Sequence, residues 1–301
     1  MSGSGSRLKA VPPWTLAVAA MLSVQLSSAL SVSLFPAVGT SGAAWLRLTA
    51  GALFFALLCR PNIRKVRRAD LPLILGLGVT TGMMTILFLA ALSRIPLGTA
   101  VAIEFLGPLT VAAIRSHRRR AMVWPALALA GVVLLTEPWL GSIDLLGIGF
   151  AALAAGCWGI YILLTQRLGD RFSGIQGLAL TAPIAAVVAA IFGIPQAIGN
   201  LSWTVILASI GLAILMPVIP FTFELLALRK MTHTAFGTLM ALEPAFGVLL
   251  GLILLHQRPT IVQAFGVALV VVAGTAAQRN GRRRPSTRTK ERSAPQPELI
   301  P

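Results

Sequence analysis

Apolar residues run along this chain in long blocks, and the short connections between them hold nearly all of its charge. Ten blocks can be marked, at about 14–38, 40–59, 71–92, 96–114, 121–136, 145–166, 174–193, 203–228, 234–255 and 260–277. Each is near the ~20 residues that carry a helix across a hydrocarbon core. The fifth is short, and only RSHRRR separates it from the fourth. No alternation of the barrel type is present, so helices are the spanning form. The pattern predicts an all-α integral membrane protein with ten transmembrane helices. Because the first block is too long for the apolar core of a cleaved signal peptide, it is expected to be a retained span.

The polar connections set an orientation. Of the 25 Lys and Arg residues, only Arg94 and Arg258 fall in the connections on one side, and Arg47 lies inside a block. All the others fall in the alternate connections or the two tails, from Arg7 and Lys9 to Arg292. That asymmetry predicts cytoplasmic amino and carboxyl termini in a cell membrane. It also supports the count of ten, since one missed helix would exchange the sides of every charge after it. The expected organisation is a cytoplasmic tail at 1–13, one five-helix unit at 14–137, a second at 138–277, and a basic disordered tail at 278–301.

Composition agrees and removes several alternatives. The 301 residues are 56% hydrophobic and 11% charged, with mean hydropathy +0.84. The net charge of +16 would suggest nucleic acid in a soluble chain. Here the positive residues sit in interhelical connections without stacking aromatics, which fits anionic lipid at the basic loops instead. Cys59 and Cys157 lie in apolar runs and form no disulfide framework. His117, His233 and His256 are scattered at loop ends, so no metal and no cofactor are expected.

Two blocks carry an acid and a proline at their centres. FGTLMALEPAFGVLLG (236–251) holds Glu243 and Pro244, and GTAVAIEFLGPL (98–109) holds Glu104 and Pro108. An ionisable group at membrane depth is costly, and a proline there removes a backbone donor and invites a kink. A shift of 136 residues lays Ala91–Pro108 on Ala227–Pro244, matching Ala91, Leu92, Leu106 and Pro108 to Ala227, Leu228, Leu242 and Pro244. Glu104 then meets Met240 rather than Glu243, so the prolines correspond and the acids do not. Five is odd, so a repeated five-helix unit inserts upside down, the plan of many secondary transporters.

The stretches SLFPAVG (33–39), LRL (46–48), PLGTAVAIEFLGPL (96–109), GCWGIYILLTQRLG (156–169), ALRKM (227–231) and FGTLMALEPA (236–245) make the chain similar to a known group. It resembles the EamA-type branch of the drug/metabolite transporter superfamily, and within it the threonine/homoserine exporters. The resemblance runs from about Pro13 to Gln278. It implies ten helices in two inverted repeats and outward transport of small metabolites. One departure is His256-Gln257, where relatives often carry Gly-Glu, so any role of that acid does not transfer.

Candidate chemistry follows from what a zwitterion needs. Arg47 can receive a carboxylate, and Glu104 or Glu243 can receive an ammonium. Desolvation favours the neutral carboxyl, which makes both acids candidates for proton coupling, with Glu243 preferred because it lies in the LEP motif. Trp158 and Tyr161 are candidate cavity residues beside them, as are Gln25, Ser27 and Ser28 of the first helix. Glu224, near the end of the eighth block, can snorkel. Pro108, Pro217, Pro220 and Pro244 are candidate kinks. An ion pair between Arg47 and a glutamate that fixes helix register is the structural alternative. The leading expectation is a proton-coupled, alternating-access exporter of small amino acids. Export of another metabolite or a drug, an integral-membrane lipid-modifying enzyme, and a channel stay open, and no oligomeric state is implied.

Overall fold

A computed structural model describes residues 12–59, 66–115, 119–140, 144–169, 171–172, 175–228 and 230–280. Of the tails expected at 1–13 and 278–301, residues 1–11 and 281–301 lie outside the described residues, as do parts of the basic connections, while 278–280 continue the last helix. Thirteen α-helices follow in order: α1 Pro13–Ser31, α2 Phe35–Cys59, α3 Leu71–Leu92, α4 Leu97–Glu104, α5 Leu106–Arg115, α6 Val123–Thr136 and α7 Leu145–Gly169. Then come α8 Ile175–Ala197, α9 Trp203–Ala213, α10 Ile219–Leu228, α11 His233–Met240, α12 Glu243–Leu254 and α13 Ile261–Asn280. Among the described residues there is no strand.

Nine described stretches are long and apolar enough to cross a bilayer, and the first, Pro13–Cys59, holds 47 residues. At 1.5 Å per residue that is about 70 Å of helix, roughly twice a ~30 Å hydrocarbon core. The backbone leaves helical geometry inside it at Gly39, with φ 68° and ψ 173°. Only glycine takes that φ without a Cβ clash. The stretch is therefore two crossings that meet at Gly39, and the total is ten. Gln196 on α8 supports the break, its side-chain oxygen accepting from the Ser41 N–H at 3.0 Å. The fifth block, short in sequence, is extended by 3-10 turns at Arg119–Met122 and Pro138–Leu140 into a 21-residue stretch.

The packing partners obey the repeat. The second crossing packs on the seventh (α2 on α8), the fifth on the tenth (α6 on α13), and the fourth on the ninth (α4 on α12). Exchanging the halves maps each of these pairs of crossings onto itself, although it turns α4 on α12 into α11 on α5. The same exchange maps α3 on α7 onto α10 on α1, and α3 on α8 onto α9 on α2, all of which are packed pairs. The chain is thus two inverted five-helix repeats.

Lipid offers apolar surface as good as leucine, so helix association rests on close van der Waals fit, which small residues permit. A Cβ on Gly131 would stand 2.6 Å from the Gly266 carbonyl oxygen, and one on Gly266 would stand 2.6 Å from that of Gly131. On α3, a Cβ at Gly82 would meet the Ala185 carbonyl oxygen at 2.9 Å. Around this interior Leu57, Ile191, Phe265 and Ile261 point outward, the apolar rim of a multi-pass membrane protein. At the connections, Arg94 pairs with Asp144 at 3.0 Å and Arg171 with Asp70 at 2.6 Å.

Candidate substrate site

Three of the ten crossings are interrupted near mid-depth, and proline chemistry explains each. Pro108 has no N–H to give the Glu104 carbonyl, and α4 ends at Glu104. Pro244 has none for the Met240 carbonyl, and α11 ends at Met240. These two break points stand 136 residues apart, so the repeat conserves the interruption even though it does not conserve the acid. In the eighth crossing Pro217 has no N–H for the Ala213 carbonyl, α9 ends at Ala213, and a π-type turn at Ile214–Val218 contains Met216 at φ −153°, ψ 114°. Pro220 causes no break of its own. It is the second residue of α10, where no intrahelical donor is required.

Interrupted helices expose carbonyls, which must find partners inside a membrane protein. Two serines of α1 supply them. Ser27 Oγ donates to the Leu212 carbonyl at 3.0 Å and Ser23 Oγ to the Leu215 carbonyl at 2.6 Å. Ser28 and Ser31 donate to carbonyls of α1 itself. The hydroxyls of this polar stripe are therefore engaged with backbone, Ser27 and Ser28 included.

Gln25 lies in the same helix and is 2% exposed, yet its side-chain oxygen has no hydrogen-bond partner. Helical spacing puts Gln25 in line with Ala17 and Met21, which cluster with Phe236, Leu239, Met240 and Phe246 of the ninth crossing. Gln25 is the next residue of that stripe, one turn beyond Met21, on a helix that packs on both α11 and α12. Arg47 is 5% exposed, and its Nη1 also has no partner. It shares a face of α2 with Gly51 and Phe55. A Cβ on Gly51 would lie 3.0 Å from Pro217 Cδ, and the Phe55 ring packs edge-on to Phe221 at 6.0 Å. Arg47 is one turn further along that face, toward the end of α9.

The acids gather here. Glu243, 6% exposed, opens α12, and partly exposed Glu104 closes α4. Glu104 feels the charges of both Arg47 and Glu243, and Glu243 feels that of Glu224 on α10. The ion pairs found within 4.0 Å among the described residues do not include Arg47, so the direct pair weighed as a structural alternative is not made. Gln25, Arg47, Glu104, Met216 and Glu243 all lie within about one helical turn, ~5 Å, of the middle of their crossings. Trp158 packs edge-on against Phe105, the residue between α4 and α5, with ring centroids 6.1 Å apart. Tyr161, one turn along α7, packs with Ile74, Leu77 and Leu168, and Glu224 is near enough to influence it. Among the described residues no group of three or more His, Cys, Asp or Glu is placed to hold a metal ion, and His117 lies outside the described residues.

The two halves of the fourth and ninth crossings behave differently. α4 and α12 pack closely, since a Cβ on Gly98 would collide with Val248, and one on Gly247 would lie 3.2 Å from Val101 Cγ2. The Gln257 side-chain oxygen accepts from the Leu97 N–H at 3.0 Å and caps α4. At the other end α5 and α11 do not form a comparable seam among the described residues. In the sequence Gln257 stands out only as a departure from relatives, and its capping role is not visible there because its partner is 160 positions away.

Comparison with known proteins fits this architecture. The EamA-like transporter family profile matches residues 145–276. A protein of Salmonella typhimurium strain LT2, "Threonine/homoserine exporter RhtA", is 34% identical over 289 residues, covering 95% of this chain and 97% of its own. The protein of that name from Escherichia coli strain K12 is 37% identical over 279 residues, covering 91% and 93%. A crystal structure 21% identical in sequence superposes with TM-score 0.58 over 88% of this chain and 96% of its own, a likeness of fold. With ten crossings, inverted repeats and relatives matched along nearly their whole length, the chain belongs to the EamA-like transporter family, in the branch of the threonine/homoserine exporters.

Proposed function

We propose that this protein exports small amino acids of the threonine and homoserine type across the cytoplasmic membrane, by proton-coupled alternating access. The observation that carries the reading is the unpaired Arg47 Nη1, buried at mid-depth within electrostatic reach of Glu104. A cation buried without a partner is strongly unfavourable, and a substrate carboxylate relieves it. Glu104 or Glu243 then receives the ammonium, and the same acids take and release a proton as the site changes exposure. Relatives named as exporters, rather than any feature of a catalytic centre, support transport over lipid chemistry.

The basic connections and termini face the cytoplasm in this reading. The α4–α12 seam then closes the outer side, while the divergence of α5 and α11 leaves the inner side the more open. Exchange of the halves gives the other state, in which Val111 and Ala112 of α5 approach Thr234 and Gly237 of α11. Export of labelled threonine and homoserine from overexpressing cells, with and without an uncoupler, tests the function. Accelerated export that collapses with the proton gradient is expected. Export at the background rate refutes transport of these substrates, and export indifferent to the uncoupler refutes the coupling.

A further inference from the structure

We infer that Gln25 reads the side-chain hydroxyl of the substrate and so sets a preference for hydroxylated over plain aliphatic small amino acids. This rests on the proposed amino-acid site and names its third contact. Three kinds of polar group lie near one depth. Arg47 offers a cation whose Nη1 is buried and unpartnered, Glu104 and Glu243 offer carboxyls, and Gln25 offers a neutral amide whose oxygen is buried and unpartnered.

Charge matching distributes the groups of an amino acid among them. The carboxylate goes to Arg47, the strongest donor available, because a charge-assisted pair exceeds a neutral one about twofold. The ammonium goes to a carboxylate for the same reason. What remains is an amide, a group with both a donor and an acceptor. Its complement is a group with the same two capacities, and a hydroxyl has them. The neighbouring polar groups of α1 cannot fill this role. Ser23 and Ser27 are held on the Leu215 and Leu212 carbonyls of the interrupted eighth crossing, and Ser28 and Ser31 on carbonyls of their own helix. Gln25 faces the opposite way from Ser23 and Ser27, two residues from each and about 200° around the helix. It sits one turn beyond Met21, on the stripe that packs against Met240 and Phe246 on either side of the α11–α12 break.

An aliphatic substrate leaves the Gln25 amide unpaired, and a buried site that loses one such partner discriminates strongly. The test is a comparison of homoserine and threonine with 2-aminobutyrate, which has the carbon skeleton of both without the hydroxyl. Full-length protein in cells or proteoliposomes is expected to transport the hydroxylated pair about tenfold better. In Gln25→Met, which keeps the length and removes the amide, the ratio should fall to within about twofold of unity, chiefly through lost homoserine flux. Equal transport of homoserine and 2-aminobutyrate by the unsubstituted protein overturns the inference without reference to any variant. A ratio unchanged in Gln25→Met present at normal level also overturns it. If no amino acid is transported at all, the proposed function fails instead, so the two failures are distinguishable.

Discussion

The α4–α12 seam makes a prediction that a single methyl group can test. Gly98 faces Val248 so closely that an added Cβ would collide with its side chain and stand 3.1 Å from its backbone nitrogen and Cα. The side chain can rotate, but the backbone of a packed helix cannot yield cheaply. Overpacking of this kind costs about 1–3 kcal/mol. Spent on the sealed conformer alone, it shifts the balance between the two states by about 5- to 150-fold. Under the proposed alternating access, Gly98→Ala is therefore expected to open the side closed by this seam and to slow export, since each cycle would pass through the sealed state. The assay uses a chain with Cys59 and Cys157 replaced and a reporter at Val101→Cys, a position 1% exposed within the seam. Labelling by a membrane-impermeant maleimide from outside should rise in Gly98→Ala. A parallel Gly156→Ala change, at a glycine with open space around it, should alter neither labelling nor export. Unchanged labelling and normal export in Gly98→Ala would refute the assignment of this seam as the outer closure.

Other predictions address the coupling, the broken helix and the connections. Glu104→Gln and Glu243→Gln, at normal protein level, should each leave residual export that no longer responds to an uncoupler. Retained coupling in both removes these acids from the proton path. Ser23→Ala and Ser27→Ala strip the Leu215 and Leu212 carbonyls of their donors and should each destabilise by about 1 kcal/mol, lowering a detergent melting temperature by about 2–4 °C. An unchanged melt refutes the capping role. The Gly147 N–H and the Arg94 guanidinium hold the Asp144 carboxyl below its ordinary value. Its contribution is thus present above the unfolded value near ~3.9 and lost as pH falls through the lower folded value. Asp144→Asn should lower the melting temperature slightly at pH 7 and less in acid, and the opposite pH trend refutes that sign.

Much of the scaffold was legible because it depends on local chemistry. Gly39 separates the first two crossings where the hydrophobic pattern breaks, and Pro108 and Pro244 end α4 and α11 four residues earlier because they lack a donor. The offset of the acids was legible too, since a repeat in sequence sets which residue occupies the break. Tertiary neighbours were not legible. Nothing in sequence ties Ser27 to Leu212, Gln257 to Leu97 or Gly98 to Val248, for these contacts depend on which helices lie side by side. Sequence also left open whether Arg47 pairs with a glutamate. That question turns on a few ångströms of separation between two helices, and the separation leaves Arg47 Nη1 unpaired. Pro220, expected as a kink, lies in the first turn of α10 instead, because Pro217 has already broken the helix three residues before it.

The most direct test of the account is homoserine counterflow in proteoliposomes holding purified protein, with the unsubstituted chain beside Arg47→Gln. Saturable counterflow by the unsubstituted chain, lost in Arg47→Gln at equal reconstitution, is the predicted result. Absence of counterflow in the unsubstituted chain, or an Arg47→Gln rate equal to it, would contradict the claim that Arg47 anchors an amino-acid substrate at the centre of the membrane.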